Sequence, residues 1–511
     1  MRLNRVFPQN VRSVLLLSGL LLLIYQVSRA ITDSNYYIIV GVMGIGFFLY
    51  LFDNAEKTVY LLFLGILFLN WLSEKWFLIP RQITWLPEVL SIIVFLYILL
   101  NAMKYKKIPL QAPYLLVYLF AGLTLFGIII NNVDASVAIA GVRNHLKFLP
   151  FFLLPFYYDF SDDFMKKFIK FILSLSFLQC PIAILQRLLF KIRSGDVVGG
   201  TLGAHTSGVL SLFCAFMIIF WTAYYFKYHL RPKNYLLGLI ILFLPMALNE
   251  TKISLFLIPI IFFSIILFIP EAKGKIRSLV VIFICTAMLS GIYGYVYNYY
   301  YASTPERRID TYITNPKKSL DYIYYDKYTE SGKLSRIPQI IFAYKNINNT
   351  SKNLLFGVGA GNASDSFFTA AIGEYFYSYK VLKIDRIFVG NMLWEYGILG
   401  TLLYFGICIT FFFKCLSLKQ FSGIQGVLSI GFLGLSLVLL ISTIYLNTMR
   451  VNLYGYLYWF LAGYIVNIAY YVPIPAKTAA YSGNNLPLDT PSNPLVDERP
   501  GTLKCQRELI I

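Results

Sequence analysis

Runs of about 18 or more apolar residues recur from one end of this chain to the other, and each has the length a helix needs to cross a bilayer. Lipid offers no partner to a backbone N–H or C=O, so such runs satisfy their hydrogen bonds internally and read as helices. Composition agrees. Of 511 residues, 58% are hydrophobic and 14% charged, whereas a soluble chain has about a quarter of its residues charged. The expected fold class is an all-α integral membrane protein of about fourteen transmembrane helices (12–14), with one large, mostly helical outer loop.

The expected organisation is eleven spans over residues 1–300, the loop over 301–386, three spans over 387–472, and a tail over 473–511. The N-terminal apolar run from Val11 to Ser28 is long for a cleaved signal and is taken as the first span. The tail is rich in Pro, Ser and Asn, a composition that buries too little apolar surface to fold, and is expected to be disordered.

The net charge of +19 raises nucleic acid as a partner, but the basic residues sit in short clusters between apolar runs. With Arg2, Arg5 and Arg12 in the cytoplasm, clusters such as Lys104, Lys106 and Lys107, or Lys273, Lys275 and Arg277, fall on the same side. This alternation fits the positive-inside rule. It excludes nucleic acid as the expected partner, puts both termini in the cytoplasm, and leaves the large loop outside. The six cysteines include no Cys-x-x-Cys pair, so the sequence suggests neither a metal site nor a disulfide framework.

The outer loop carries twelve Lys/Arg against eight Asp/Glu. Topology does not require a basic outer surface, so it needs another cause, and an anionic ligand at the membrane face would supply one. Arg143, Lys252, Arg336 and Arg386 are the candidates; the guanidinium forks of the three arginines match phosphate oxygens and do not deprotonate. The competing reading has these cations snorkelling to headgroups or pairing with Asp310, Asp321, Asp326 and Asp385. Gly357, Gly359 and Gly361 form a Gly-x-Gly-x-Gly turn without the Lys-Ser/Thr ending of a nucleotide loop. They read as a tight turn that lets the loop approach membrane helices, and stand beside that as candidate ligand-contacting positions. Glu395, a carboxylate inside an apolar run, must be paired, neutral or near water. His145 and His205 read as packing or capping residues.

Together these features resemble the O-antigen ligase and polysaccharide polymerase superfamily of bacterial envelopes. LLFGVGAGN, behind a helix headed by Arg336, is similar to that family's glycine turn. WEYGILGTLLYF is similar to its Glu-x-Gly-x-x-Gly helix start, here Glu395, Gly397 and Gly400. GGTLGAHTSG and NETKISLFLIP are weaker similarities, the latter with Thr251-Lys252 where the family has Ser-Arg. The ligases carry a His where this chain has Arg386, which favours a polymerase.

The resemblance implies a bacterial cytoplasmic (inner) membrane protein with a periplasmic loop. It implies inverting, metal-independent glycosyl transfer without cofactor, using undecaprenyl-diphosphate-linked oligosaccharide, with membrane lipids, a chain-length regulator and a flippase as partners. Arg336, Arg386 and Lys252, with Arg143, would stabilise the diphosphate, and Asp385 or Glu395 would assist deprotonation of the attacking hydroxyl. Ligase-type transfer to a lipid or protein acceptor, an oligosaccharide-lipid flippase and a non-catalytic assembly partner are the alternatives.

Overall fold

The structure is a computed structural model that describes residues 50–51, 54–74, 76–189, 197–249, 251, 253–268, 275–301, 308–315, 317 and 332–471. The expected first span, nearly all of the second, Lys252, Glu250, loop residues 302–307 and 318–331, and the tail lie outside them.

The described residues are helical and contain no strand. Helices occupy the places of the expected third to fourteenth spans. They are α1 Ala55–Glu74, α2 Leu86–Tyr105, α3 Ala112–Ile130, α4 Ala135–Leu146 with α5 Leu149–Tyr157, α6 Asp162–Leu189, α7 Ser207–Tyr228, α8 Pro232–Leu248, α9 Ile253–Phe268 and α10 Lys275–Tyr301. After α11 Ile309–Thr314, α12 Arg336–Ile347, α13 Ser351–Phe356 and α14 Glu374–Ser378 come α15 Phe388–Leu416, α16 Gly423–Ser442 and α17 Asn452–Tyr471. Seven of the described helices are long and apolar enough to cross a membrane, and the α4–α5 pair, bent by 50°, makes eight if it is one broken span.

The pattern of apolar runs leaves residues 131–145 as a connection; the structure makes most of it helix α4. Its polar residues, among them Arg143 and His145, hide it from a search for apolar runs. Pro150, at the second position of α5, lacks the N–H an unbroken helix would use there, and the break falls just before it.

The apolar windows of α7 and α16 are 78% and 72% buried, against 28% for the window around α2, so α7 and α16 are central and α2 peripheral. Rings at the start of α5 and from α17 interlock beside them, with Phe148, which precedes α5, and Phe151 edge-on to Tyr456 at 4.9 and 5.2 Å.

The loop brings a core of its own. Leu334, Ala343, Ile347, Val358, Phe376 and Ile384 gather around Trp394, which comes from α15. Tyr375 and Tyr379 stand 5.5 and 5.9 Å from the Trp394 ring. The described loop is thus a folded layer anchored on the first turns of a membrane helix.

Candidate functional site

The anchoring begins with a broken helix. Gly397 in α15 has φ 62° and ψ −162°, a left-handed backbone that favours glycine. The break interrupts the ladder of helical hydrogen bonds and frees carbonyls of the preceding turn. Two of these accept from the glycine turn: Val358 N–H donates to Trp394 O at 2.8 Å and Gly359 N–H to Glu395 O at 3.2 Å. A Cβ at Gly357 would lie 2.4 Å from the Glu395 carbonyl carbon, and one at Gly361 would lie 2.2 Å from Val137 O in α4. The turn is therefore wedged between α15 and α4. Gly357, Gly359 and Gly361 are close-packing positions and do not line the cleft described below.

This packing sets the Glu395 carboxyl among buried polar side chains. Its Oε2 lies 2.9 Å from Nε2 of His145, both side chains being almost wholly buried, and its Oε1 accepts from the Ser364 hydroxyl. Asn391 Nδ2 donates to Ser364 Oγ at 3.2 Å, and Arg450 Nη1 donates to the same oxygen at 2.8 Å and to Asn391 Oδ1 at 3.1 Å. Glu395 is paired, as a buried carboxylate must be; it is almost wholly buried and does not line the cleft described below.

Arg450 opens onto a cleft of ≈ 660 Å³ at the end of the bundle where the loop docks, a volume in the range of small-molecule sites. Its lining comes from six stretches far apart in sequence. Five cations, Arg81, Arg143, Lys147, Arg386 and Arg450, face three carboxylates, Glu74, Glu88 and Asp385. Arg143 Nη2 reaches Glu88 Oε1 at 2.7 Å, and Lys147 Nζ lies 2.5 Å from Asn452 Oδ1 and 3.4 Å from the same glutamate oxygen. Arg81 lies over the Phe367 ring at 4.7 Å, with Trp85 edge-on to that ring at 5.8 Å.

The GGTLGAHTSG stretch forms part of the wall through Leu202 and Thr206. Two glutamines of α6, seven residues apart and so on one helix face, hold its backbone. Gly200 N–H donates to Gln186 Oε1 and Thr201 N–H to Gln179 Oε1, each at 2.9 Å.

Of the residues expected from sequence, Arg143, Asp385 and Arg386 line the cleft. Arg336 does not: it is buried, with its guanidinium 4.0 Å above the Tyr445 ring. Lys252 lies outside the described residues. Asp385 Oδ2 accepts from Asp365 N–H at 3.1 Å, and its carbonyl accepts from Asn447 Nδ2 at 2.8 Å. Burial pushes the Asp385 carboxyl above its ordinary value, and nearby Arg450 opposes that shift.

Sequence reasoning misses Lys147, Arg450, Ser364 and the His145 partnership. Arg450 carries one unused signal, a lone cation in the short connection before the last span, on the side assigned to the large loop. Among the described residues no group of three or more His, Cys, Asp or Glu is placed to hold a metal ion. No family model matches this chain, and no curated protein matches it.

Proposed function

We propose that the chain is a glycosyltransferase that lengthens surface polysaccharide from undecaprenyl-diphosphate-linked oligosaccharide at the outer face of the bacterial cytoplasmic membrane. The observation that carries this reading is the convergence of Arg143, Lys147, Arg386 and Arg450 on one cleft at a loop-covered end of an apolar bundle. The alternation of basic clusters assigns that end to the outside.

A hydroxyl of one lipid-linked repeat attacks the anomeric carbon of the other chain. As the new C–O bond forms, the bond to the diphosphate oxygen breaks and the lipid diphosphate leaves with the electron pair. The hydroxyl proton passes to Asp385, the cleft carboxylate beside Arg386, and from there to water. Preset cations favour this step because charge grows on the leaving diphosphate as the bond opens. Removing one such electrostatic contact costs about 10²–10³-fold in rate, and general-base help is worth about 10²–10⁴-fold.

The test is purified full-length chain in lipid with repeat units on their carrier. The glycan should lengthen with no nucleotide sugar or ATP added. Transport of labelled lipid across the vesicle while the glycan stays one unit long would replace this reading with a transporter. Transfer to a lipid or protein acceptor would make the chain a ligase.

A further inference from the structure

The cleft cations are not held alike. Arg143 is 45% exposed and bound directly to a carboxylate of the cleft itself. Lys147 shares that carboxylate. Among the described residues Arg450 makes no direct ion pair, and its side-chain hydrogen bonds run through Nη1 alone, to Ser364 and Asn391.

The donors and acceptors available fix the direction of these contacts. A serine hydroxyl has one hydrogen to give and two lone pairs. Ser364 Oγ accepts from Arg450 and from Asn391, so its hydrogen is directed at Glu395 Oε1. Glu395 Oε2 takes the remaining contact, from His145. The arrangement is satisfied throughout when Glu395 carries its charge and His145 presents Nε2–H.

A carboxylate placed directly against Arg450 would occupy its fork. With Ser364 interposed, the counter-charge lies one hydroxyl away and Nη2 and Nε remain for the cleft. From this geometry we infer that Arg450 is the pre-oriented anion-binding residue of the cleft, and that Ser364, Asn391, Glu395 and His145 are positioning residues that hold it from behind. The ligand class is a diphosphate ester or another vicinal pair of phosphate groups, which presents the paired oxygens a guanidinium fork accepts. The glycine turn serves the same end, because it fixes Ser364 against the carboxylate of the same residue whose carbonyl it caps. This inference rests on the proposed anionic substrate but not on the glycosyl transfer.

Calorimetric titration of the full-length chain in nanodiscs with inorganic pyrophosphate tests it, with a thermal unfolding scan of each variant as the folding control. Arg450→Ala should weaken binding about 10–100-fold, the range for a charged hydrogen-bonded contact. Ser364→Ala should weaken it about tenfold, and Ser364→Thr, which restores the hydroxyl, should stay near wild type. In the Arg450→Ala background, Ser364→Ala should add nothing, because coupled residues are not additive. Should Ser364→Ala fail to fold, Asn391→Leu removes the other acceptor of Nη1 and carries the same expectation.

Wild-type protein that does not bind pyrophosphate, unchanged binding by Arg450→Ala, or additive effects of the two substitutions would each overturn the inference. Lengthening is read on the same preparations. Coupled binding without lengthening would overturn the polymerase reading and leave this inference standing; lengthening without coupling would do the reverse.

Discussion

A carboxylate among membrane helices must find donors for both its oxygens, and Glu395 finds them in His145 and Ser364. Glu395→Ala would leave a buried imidazole N–H and a buried hydroxyl without an acceptor, each costing about 1–3 kcal/mol. Chemical unfolding in nanodiscs should therefore show a loss of about 3 kcal/mol, with Glu395→Gln losing less. Asp385 behaves differently because it faces the cleft. Its carboxyl is raised by burial, so the folded chain holds that proton more tightly than the unfolded one. The stability this contributes is full below the unfolded value of about 4 and is lost as pH rises through the higher folded value. The acid limb of turnover should accordingly lie above the ordinary carboxylate range. Asp385→Asn should abolish the limb, and Arg450→Ala should move it to still higher pH, because Arg450 holds the carboxyl down. A pH–rate profile of the three proteins measures this directly.

At the scale of elements, the break in α15 ties loop to bundle. Gly397→Ala would put a side chain on a left-handed backbone, with its Cβ 2.6 Å from Gly357 N and the Leu355 carbonyl. The expected cost is about 1–3 kcal/mol of backbone strain, together with lost turnover as Ser364 shifts. Gly406 in the same helix has nothing within 4 Å of its added Cβ; Gly406→Ala should be neutral or stabilise by up to about 1 kcal/mol. Unfolding midpoints and turnover of the pair separate a helix effect from a break effect. The glycine turn, Glu395 and Gly397 are legible in sequence because their spacing is local and breaks a pattern of apolar runs. The His145–Glu395 contact is not, since 250 residues separate the partners and neither position carries a mark of the other. Arg450 escapes for a related reason: a single cation in a short connection looks like any interfacial anchor until the cleft exists. Arg336 shows the reverse case: the sequence marks it as a cation heading a loop helix, and only packing reveals that its side chain is buried against Tyr445.

For the whole molecule, the proposed function needs the cleft on the outer side, as the alternation of basic clusters leads one to expect, and substituted-cysteine labelling tests that. Tyr377, 70% exposed in the loop, should as Tyr377→Cys react with an impermeant thiol reagent in intact cells. Lys167→Cys, at an exposed position at the opposite end of the bundle by the same alternation, should react only after permeabilisation. The apolar architecture is legible because lipid imposes it on the sequence run by run, whereas a cleft assembled from six distant stretches exists only after those runs have packed. The central claim is that cleft cations stabilise a departing lipid diphosphate, and the lengthening rate of purified Arg386→Ala measures it most directly. Arg386→Ala should lengthen lipid-linked repeats at least about 100-fold more slowly than wild type, while Lys345→Ala, at an exposed loop position away from the cleft, should match wild type. Equal rates for Arg386→Ala and wild type would contradict the claim.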